Sequence, residues 1–331
     1  MTQVKPEIDL VIPWVDGSDP AWLEEKSRVT GTLPDGGAVR FRDWDNLQYL
    51  FRGIEAFLPF IRKVHFITWG HLPPWLNTAC EKLNIVNHSD YIPAAYLPTF
   101  TANTIELNLH RIDELAEQFI YANDDMFFLR PMTPDFFFQD GAPVDVCVEI
   151  PHQFFSGQID HMIGNDLAII NKHFSKRQVI KTHRKKWYSP KLGTGALKNL
   201  YTSPFACFTG FYDPHIPFSY CKSTLRAVWN AESEILDHTC RLPVRSPEMV
   251  NQWLFRYWQF ATGNFAPANA NRGRFFSIGR DDEAIADAIL HQRYPMICLN
   301  DDDPALDFEK AKRQVQELLQ QILPNKSAFE K

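Results

Sequence analysis

Three groups of carboxylates each follow a short apolar run. Asp16 and Asp19 follow residues 8–15 (IDLVIPWV), Asp124 and Asp125 follow 119–122 (FIYA), and Asp301 to Asp303 follow 296–299 (MICL). In open parallel sheets, ligands bind at the carboxyl ends of strands. Carboxylates gathered there repel one another unless a cation joins them. A hard divalent metal, with a diphosphate supplying further oxygens, suits that arrangement. Any one group alone also reads as a turn, because Asp is a common turn residue.

Two other side chains stand where chemistry is possible. His215 lies in 212–217 (YDPHIP), where flanking prolines favour a stiff, extended segment and a fixed imidazole. Such a histidine can take a proton near neutral pH, or it can be a loop residue without a role. Arg245 lies in 243–247 (PVRSP). Ser246 suits an N-cap and Pro247 a first helical position, so the pattern predicts a helix over 247–260 with Arg245 beside its start. That place suits a phosphate; the plain alternative is a surface arginine. Arg40, Arg42 and Arg52 form a second basic group near Asp43 and Asp45, which salt bridging would also explain. His110, four residues after Glu106, can pair with it. The run 181–186 (KTHRKK) is either a solvated face or a contact for an anionic acceptor. No H-x-x-x-H or mixed Cys/His spacing points to zinc.

The elements that must position these residues alternate. Strands are expected at 8–15, 64–69, 83–86, 119–122 and 296–299. Helices are expected at 47–57, 105–115, 223–235, 247–260, 281–291 and 304–323. Pro13 fits a strand only at its end, and 34–37 (PDGG) reads as an exposed loop. Alternation of this kind predicts an α/β fold with a mostly parallel central sheet flanked by helices. The less regular stretch 151–209 is an insertion or lid in a single catalytic domain spanning 1–331.

Composition narrows the partners. A net charge of −6 over 331 residues argues against a strongly basic nucleic-acid binder, so an anionic substrate needs placed arginines or a metal. No apolar run approaches the roughly 20 residues of a membrane span. No signal peptide is visible at the start, and six scattered cysteines read as reduced thiols. These readings favour a cytoplasmic protein, free to sit peripherally at a membrane.

The segment 121–127 (YANDDMF) is similar to the acidic metal motif of nucleotide-sugar glycosyltransferases, which makes the expected fold Rossmann-like or GT-A-like with a helical insertion. Four blocks together resemble the Stealth family of sugar-phosphate transferases. The first is 9–20 (DLVIPWVDGSDP). The second runs from Arg40 to Pro131 and contains 41–43 (FRD), 50–55 (LFRGIE), 97–100 (LPTF), 109–112 (LHRI) and 119–125 (FIYANDD). The third holds 215–217 (HIP) and 244–246 (VRS), and the fourth is 298–301 (CLND).

The resemblance implies transfer of a sugar 1-phosphate from a nucleotide sugar (UDP-, CMP- or GDP-linked) to a hydroxyl of a glycan acceptor. A phosphodiester forms and a nucleoside monophosphate leaves, in capsule or exopolysaccharide synthesis, with Mg2+ or Mn2+ as cofactor. It implies that Asp124, with Asn300 and Asp301, holds the metal. His215 takes the proton of the attacking hydroxyl, ahead of a phosphohistidine, and Arg245 clamps the phosphoryl group. Trp14, Val15 and Asp16 line the nucleotide pocket, and Arg42, Asp43 and Arg52 reach the nucleotide's sugar or phosphates. Asn103, His110 and Arg111 shape the sugar site. Two rivals stand beside it: a glycosyltransferase forming a glycosidic bond on the same acidic site, and an inactive glycan- or nucleotide-binding module.

Overall fold

The computed structural model describes residues 7–31, 42–155 and 157–331; Arg40, Phe41 and the 34–37 loop lie outside them. Eleven strands occur among the described residues. They are β1 (Ile8–Pro13), β2 (Ile61–Thr68), β3 (Leu83–Asn87), β4 (Gln118–Tyr121), β5 (Met126–Phe128), β6 (Phe138–Gln139), β7 (Ala142–Asp145), β8 (Phe218–Cys221), β9 (Ala266–Pro267), β10 (Gly273–Ser277) and β11 (Met296–Asn300). The central sheet has the order β3-β2-β1-β4-β8. Its first four strands are parallel and β8 is antiparallel to β4. This is the mostly parallel, Rossmann-like α/β sheet that the alternation predicts. A second sheet, β10-β11-β5, and a small third one, β6-β7-β9, complete the framework.

β1 is buried along Ile8 to Ile12, as expected for a strand covered on both faces. Pro13 stands at its last position, where a missing N–H costs the ladder little. The helix Leu47–Phe57 buries Leu47, Leu50, Phe51 and Ile54. It approaches β5 so closely that a Cβ on Gly53 would lie 2.8 Å from the Phe128 carbonyl oxygen. Only glycine permits that contact, which presses the helix onto the strand following Asp125.

Three expected helices are shorter or broken. The 105–115 pattern becomes a helix Ala102–Leu107 and a 3-10 turn Leu109–Arg111. Between them, buried Asn108 turns its amide back on the Thr104 carbonyl (2.8 Å), competing with the helix ladder. The 223–235 pattern splits into Lys222–Ala231 and Ser233–Arg241 at Glu232, whose carboxylate is held by Lys172 (2.6 Å) and His173. The expected helix at 247–260 starts instead at Trp253 and ends at Thr262. Ser246 and Pro247 open a turn closed by Met249 N–H on the Ser246 carbonyl (3.2 Å), and Asn251 takes the Trp253 N–H (2.8 Å). Arg245 is therefore not beside a helix N-terminus.

The stretch 151–209 is largely helical, with helices Gln158–His173, Lys176–Thr182, Arg184–Trp187 and Gly195–Thr202. Ile163, Leu167, Ile170, Trp187 and Phe208 from it join the same hydrophobic core as the central sheet.

A buried carboxylate fixes the start of the sheet. Asp9, fully buried, accepts from Arg62 Nε and Nη2 (2.9 and 2.6 Å), from Lys63 N–H (3.2 Å) and from Ala116 N–H (2.8 Å). The Asn84 amide donates to His65 Nδ1 (2.9 Å), which leaves His65 Nε2–H to donate to Asp9 (2.9 Å). Burial pushes the Asp9 carboxyl up, but the hydrogen bonds from His65, Arg62 and Ala116 outweigh it and hold it below its ordinary value. The stability it contributes is present above the unfolded-state pKa, about 3.9, and is lost as pH falls through the lower folded value. Asp9→Asn should cost about 2–3 kcal/mol at pH 7, discounted because Arg62 is partly exposed. Urea unfolding at pH 7 and pH 3 checks this: the gap between wild type and variant should shrink at the acid end.

Candidate active site

β1 has β2 on one side and β4 on the other, so the chain leaving β1 and the chain leaving β4 border a crevice at the sheet's carboxyl edge. Trp14, Val15 and Asp16 leave β1 there. The Trp14 ring stacks on Phe66 (5.6 Å) and meets His71 edge-on (5.2 Å). Asp16 N–H donates to His71 Nε2 (2.7 Å). Burial lowers the His71 pKa, keeping the ring neutral and able to accept that proton. The Asp16 carboxylate accepts from Ser18 N–H (2.9 Å) and Oγ–H (2.6 Å). Asp19 accepts from Trp22 N–H (2.8 Å) and caps the helix Pro20–Thr30.

β4 runs into Asn123, Asp124 and Asp125. β5 then pairs antiparallel with β11, and Leu299 N–H donates to the Asp125 carbonyl (2.9 Å). That pairing brings the second and third acidic groups together. Burial raises the Asp125 carboxyl to about 6. Its Oδ2 accepts from the Cys298 thiol (3.3 Å), and its Oδ1 is buried without a hydrogen-bond partner. Asp301 is in a similar position: burial raises its pKa, neither carboxylate oxygen is in a well-formed hydrogen bond, and Arg42 Nη1 lies 3.6 Å from Oδ1.

His215 reaches the same place from a loop. Its Nε2 lies 3.3 Å from Asn123 Nδ2 and 3.9 Å from Asp125 Oδ2, and burial lowers its pKa. The loop is anchored two residues earlier at Asp213. The fully buried Arg256 donates to Asp213, and to Asp145 with both Nε (2.7 Å) and Nη2 (2.9 Å). Tyr257 Oη–H donates to the other Asp213 oxygen. One buried guanidinium thus ties β7, the helix Trp253–Thr262 and the His215 loop together.

Arg245 enters from the turn before that helix, with its Nε buried and without a hydrogen-bond partner. Phe100 N–H donates to the Pro243 carbonyl (2.8 Å), and the buried Asn103 amide donates to Val250 O (2.7 Å), pinning this turn to the 99–103 wall. Trp14, Val15, Asp16, Arg42, Asp43, Asn103, Asp124, His215, Arg245, Asn300 and Asp301 all line one cleft of about 620 Å³.

Three expected substrate contacts lie outside the lining. Arg52 spends its guanidinium on the C-terminal segment, donating to Glu330 (2.9 and 2.8 Å), Gln320 (3.0 Å) and the Leu323 carbonyl (2.9 Å). His110 packs on Trp229 (5.7 Å), and burial with nearby Arg111 and Arg226 lowers its pKa to about 4. Arg111 lies over the same indole (4.9 Å) and donates to Asn108 (2.9 Å). Glu106, the expected partner of His110, accepts instead from Tyr121 Oη–H (2.6 Å).

The donor set can be tested for a metal. Asp125, His215 and Cys298 offer ligand atoms within 4.8 Å of one another. Burial and the Asp125 charge raise the Cys298 pKa well above the ordinary value, and its thiol donates to Asp125 Oδ2. The oxygens of Asp124, Asp125, Asn300 and Asp301 around the cleft, several of them unsatisfied, fit a hard divalent cation.

Comparison with known proteins matches most of the chain. Residues 6–34, 40–145 and 287–331 match Stealth protein conserved regions 1, 2 and 4. A receptor polysaccharide phosphotransferase, WefC of Streptococcus gordonii, is 37% identical over 98% of this chain and 99% of its own. A capsular polysaccharide phosphotransferase, WcwK of Streptococcus pneumoniae, is 35% identical over 98% of both chains. An exopolysaccharide phosphotransferase, cps2G of Lactiplantibacillus plantarum, is 35% identical over 98% of this chain and 96% of its own. The chain belongs to the Stealth family. Among solved structures, the galactosyltransferase LgtC, crystallised with donor and acceptor sugar analogues, superposes with a TM-score of 0.41 at 11% identity, over 93% of this chain and 95% of that one.

On the Stealth sequence the cleft divides unevenly. Conserved regions 1, 2 and 4 contribute the three acidic groups, whereas His215, Arg245, Asp213 and Arg256 lie between regions 2 and 4. Sequence reasoning passed over His71, Asp213, Arg256 and Cys298. Arg256 carried a signal, as a lone cation inside the aromatic run 253–260 (WLFRYWQF). Removing it leaves two carboxylates buried and unpaired. Arg256→Met should therefore lower stability by about 3–5 kcal/mol in urea unfolding, and adding Asp145→Asn with Asp213→Asn should restore part of the loss.

Proposed function

We propose that this Stealth chain transfers a sugar 1-phosphate from a nucleotide sugar to a hydroxyl of a glycan acceptor, in capsule or exopolysaccharide synthesis. The acceptor oxygen bonds to the β-phosphorus, the bond to the nucleoside monophosphate breaks, and a phosphodiester forms. The observation that carries this reading is the meeting of His215 and Arg245 with the carboxylates of 124, 125 and 301 in one cleft. Similarity to polysaccharide phosphotransferases along 98% of the chain supports it.

His215 accepts the hydroxyl proton. Its lowered pKa keeps the imidazole neutral at pH 7, and the Asn123 contact together with the Asp213 anchor holds Nε2 in place. Arg245, with an uncommitted buried Nε, binds the equatorial oxygens of the phosphoryl group as their charge grows. Trp14, Val15 and Asp16 form the wall for the nucleotide, with Arg42 and Asp43 opposite. Asp124, Asn300 and Asp301 would hold Mg2+ or Mn2+, which neutralises diphosphate charge. Among the described residues, no helix is long and apolar enough to cross a membrane.

Incubation with UDP- and GDP-linked sugars, Mg2+ and a glycan acceptor tests the reaction by the nucleotide released. A monophosphate is expected. A diphosphate would assign glycosidic bond formation, and neither, with binding retained, would assign a binding module. His215→Ala and Asp124→Ala should each cut kcat by about 10²–10⁴-fold with unchanged thermal melting. In wild type, kcat/KM should hold at neutral pH and fall only on the acid side of the ordinary imidazole pKa, because burial lowers the His215 pKa and only the unprotonated imidazole can accept a proton. An acid limb that persists in His215→Gln would remove that role.

A further inference from the structure

The helix Gly195–Thr202 is inverted relative to an ordinary surface helix. Its inward positions are Gly195, Asn199 and Thr202, all buried. Its outward positions include Leu197, Leu200 and Tyr201, exposed to 67%, 59% and 75%. Phe205, 42% exposed, continues the apolar surface and packs edge-on against Tyr201 (6.5 Å). Large apolar side chains clustered in this way mark an interaction surface.

The helix cannot roll to hide them. Asn199 donates to the carbonyls of Cys147 (2.8 Å) and Trp187 (2.7 Å) and accepts from Glu149 N–H (2.7 Å). Thr202 Oγ–H donates to Glu149 (2.9 Å). A Cβ at position 195 would lie 2.3 Å from Val148 Cγ2, so that contact leaves room only for glycine. Three polar or steric locks hold the apolar face outward.

The charge around this face is equally one-sided. The stretch 151–209 contains nine Lys and Arg against two Asp, in a chain whose net charge is −6. Lys176 is paired internally with Glu149, and Lys172 with Glu232. Arg177, Lys181, Arg184, Lys185 and Lys198 are exposed, and none is in an ion pair among the described residues. Lys198 is exposed on the same helix as Leu197 and Tyr201, and the other cationic helices pack against its inward side, where Lys176 Nζ donates to Thr202 O (2.7 Å) and Trp187 O accepts from Asn199.

We infer that the outward face of Gly195–Thr202, with Phe205 and the surrounding cations, docks on an anionic phospholipid surface. Leucine and aromatic side chains enter the headgroup boundary, and lysines and arginines meet lipid phosphates. The charge complementarity selects a bilayer over an apolar protein partner or a second copy of this equally basic surface.

Co-sedimentation of the full chain with vesicles tests this. One vesicle set contains phosphatidylglycerol and phosphatidylcholine in equal parts, and the other contains phosphatidylcholine alone. Binding is expected to the anionic vesicles only, and to weaken in high salt. Both Leu197→Ser/Leu200→Ser/Tyr201→Ser and Lys181→Gln/Arg184→Gln/Lys185→Gln should weaken it by about tenfold or more while melting like wild type. Wild type remaining in the supernatant with anionic vesicles overturns the inference. So does equal binding to both vesicle types, or a dimer in sedimentation velocity that the serine variant dissolves. None of these readouts uses turnover, so failure here is distinct from failure of the phosphotransfer reading.

Discussion

The reversal of strand order at β1 governs the rest of the structure. β1 pairs in parallel with β2 through Leu10↔Val64 and with β4 through Leu10↔Ile120, so its two neighbours lead away in opposite directions. Loops that leave the carboxyl ends of β1 and β4 cannot lie over each other, and a crevice opens between them. Asp16 comes from one lip and Asp124 from the other. The third acidic group arrives because β5 turns back immediately after Asp125 and pairs with β11, whose end is Asn300. One short antiparallel pairing thus carries Asp125 and Asn300, 175 positions apart, to the same place.

That gathering is electrostatically unfavourable without a counter-charge. Asp16, Asp43, Glu106, Asp124, Asp125 and Asp301 line the cleft, against the guanidiniums of Arg42 and Arg245. The raised pKa values of Asp125 and Asp301 record the strain, since burial disfavours each carboxylate and no full complement of hydrogen bonds compensates. Asp9 and Asp213 differ from these in their partners. Both are buried, and burial raises the Asp213 pKa as well, but Arg62 and His65 satisfy Asp9 and hold its pKa low, while Arg256 and Tyr257 grip Asp213. Carboxylates with a framework role have their partners built in, whereas those facing the cleft lack them. The deficit is where a divalent cation fits.

Much of this was legible in the residues. The strand expected at 8–15, which ends at Pro13, the helix Leu47–Phe57 and β11 followed from apolar periodicity and from the breakers Pro59 and Asn300. The three acidic groups stood at strand ends, which is where a parallel sheet puts ligands. What escaped were tertiary effects. The spacing of Ser246 and Pro247 matched a helix start, but the Asn103 and Phe100 contacts hold this segment as a turn. Glu232 interrupted a helical pattern through side-chain bonds to Lys172 and His173, which no local window contains, and Asn108 interrupted another by turning its amide back on Thr104. Arg52 and His110 looked functional because of their motifs, yet their side chains hold the C-terminal segment and a tryptophan. Type and spacing identify candidates; only packing decides which way a side chain is spent.

The whole-chain charge concealed a separation that the fold makes physical. With +7 in the stretch 151–209, the remaining residues carry −13. Any anionic ligand approaching the acidic cleft meets repulsion unless a cation is already held there, because the two arginines balance only part of the lining charge. Binding of a cation and of such a ligand would be coupled by charge: each lowers the cost of the other. The positive helices cannot substitute for that cation. Their exposed charges act across solvent, where screening weakens them beyond roughly 10 Å at ordinary ionic strength. They can orient the whole chain toward a negatively charged surface, while the chemistry of the cleft depends on what lies within a few ångströms of Asp124 and Asp301.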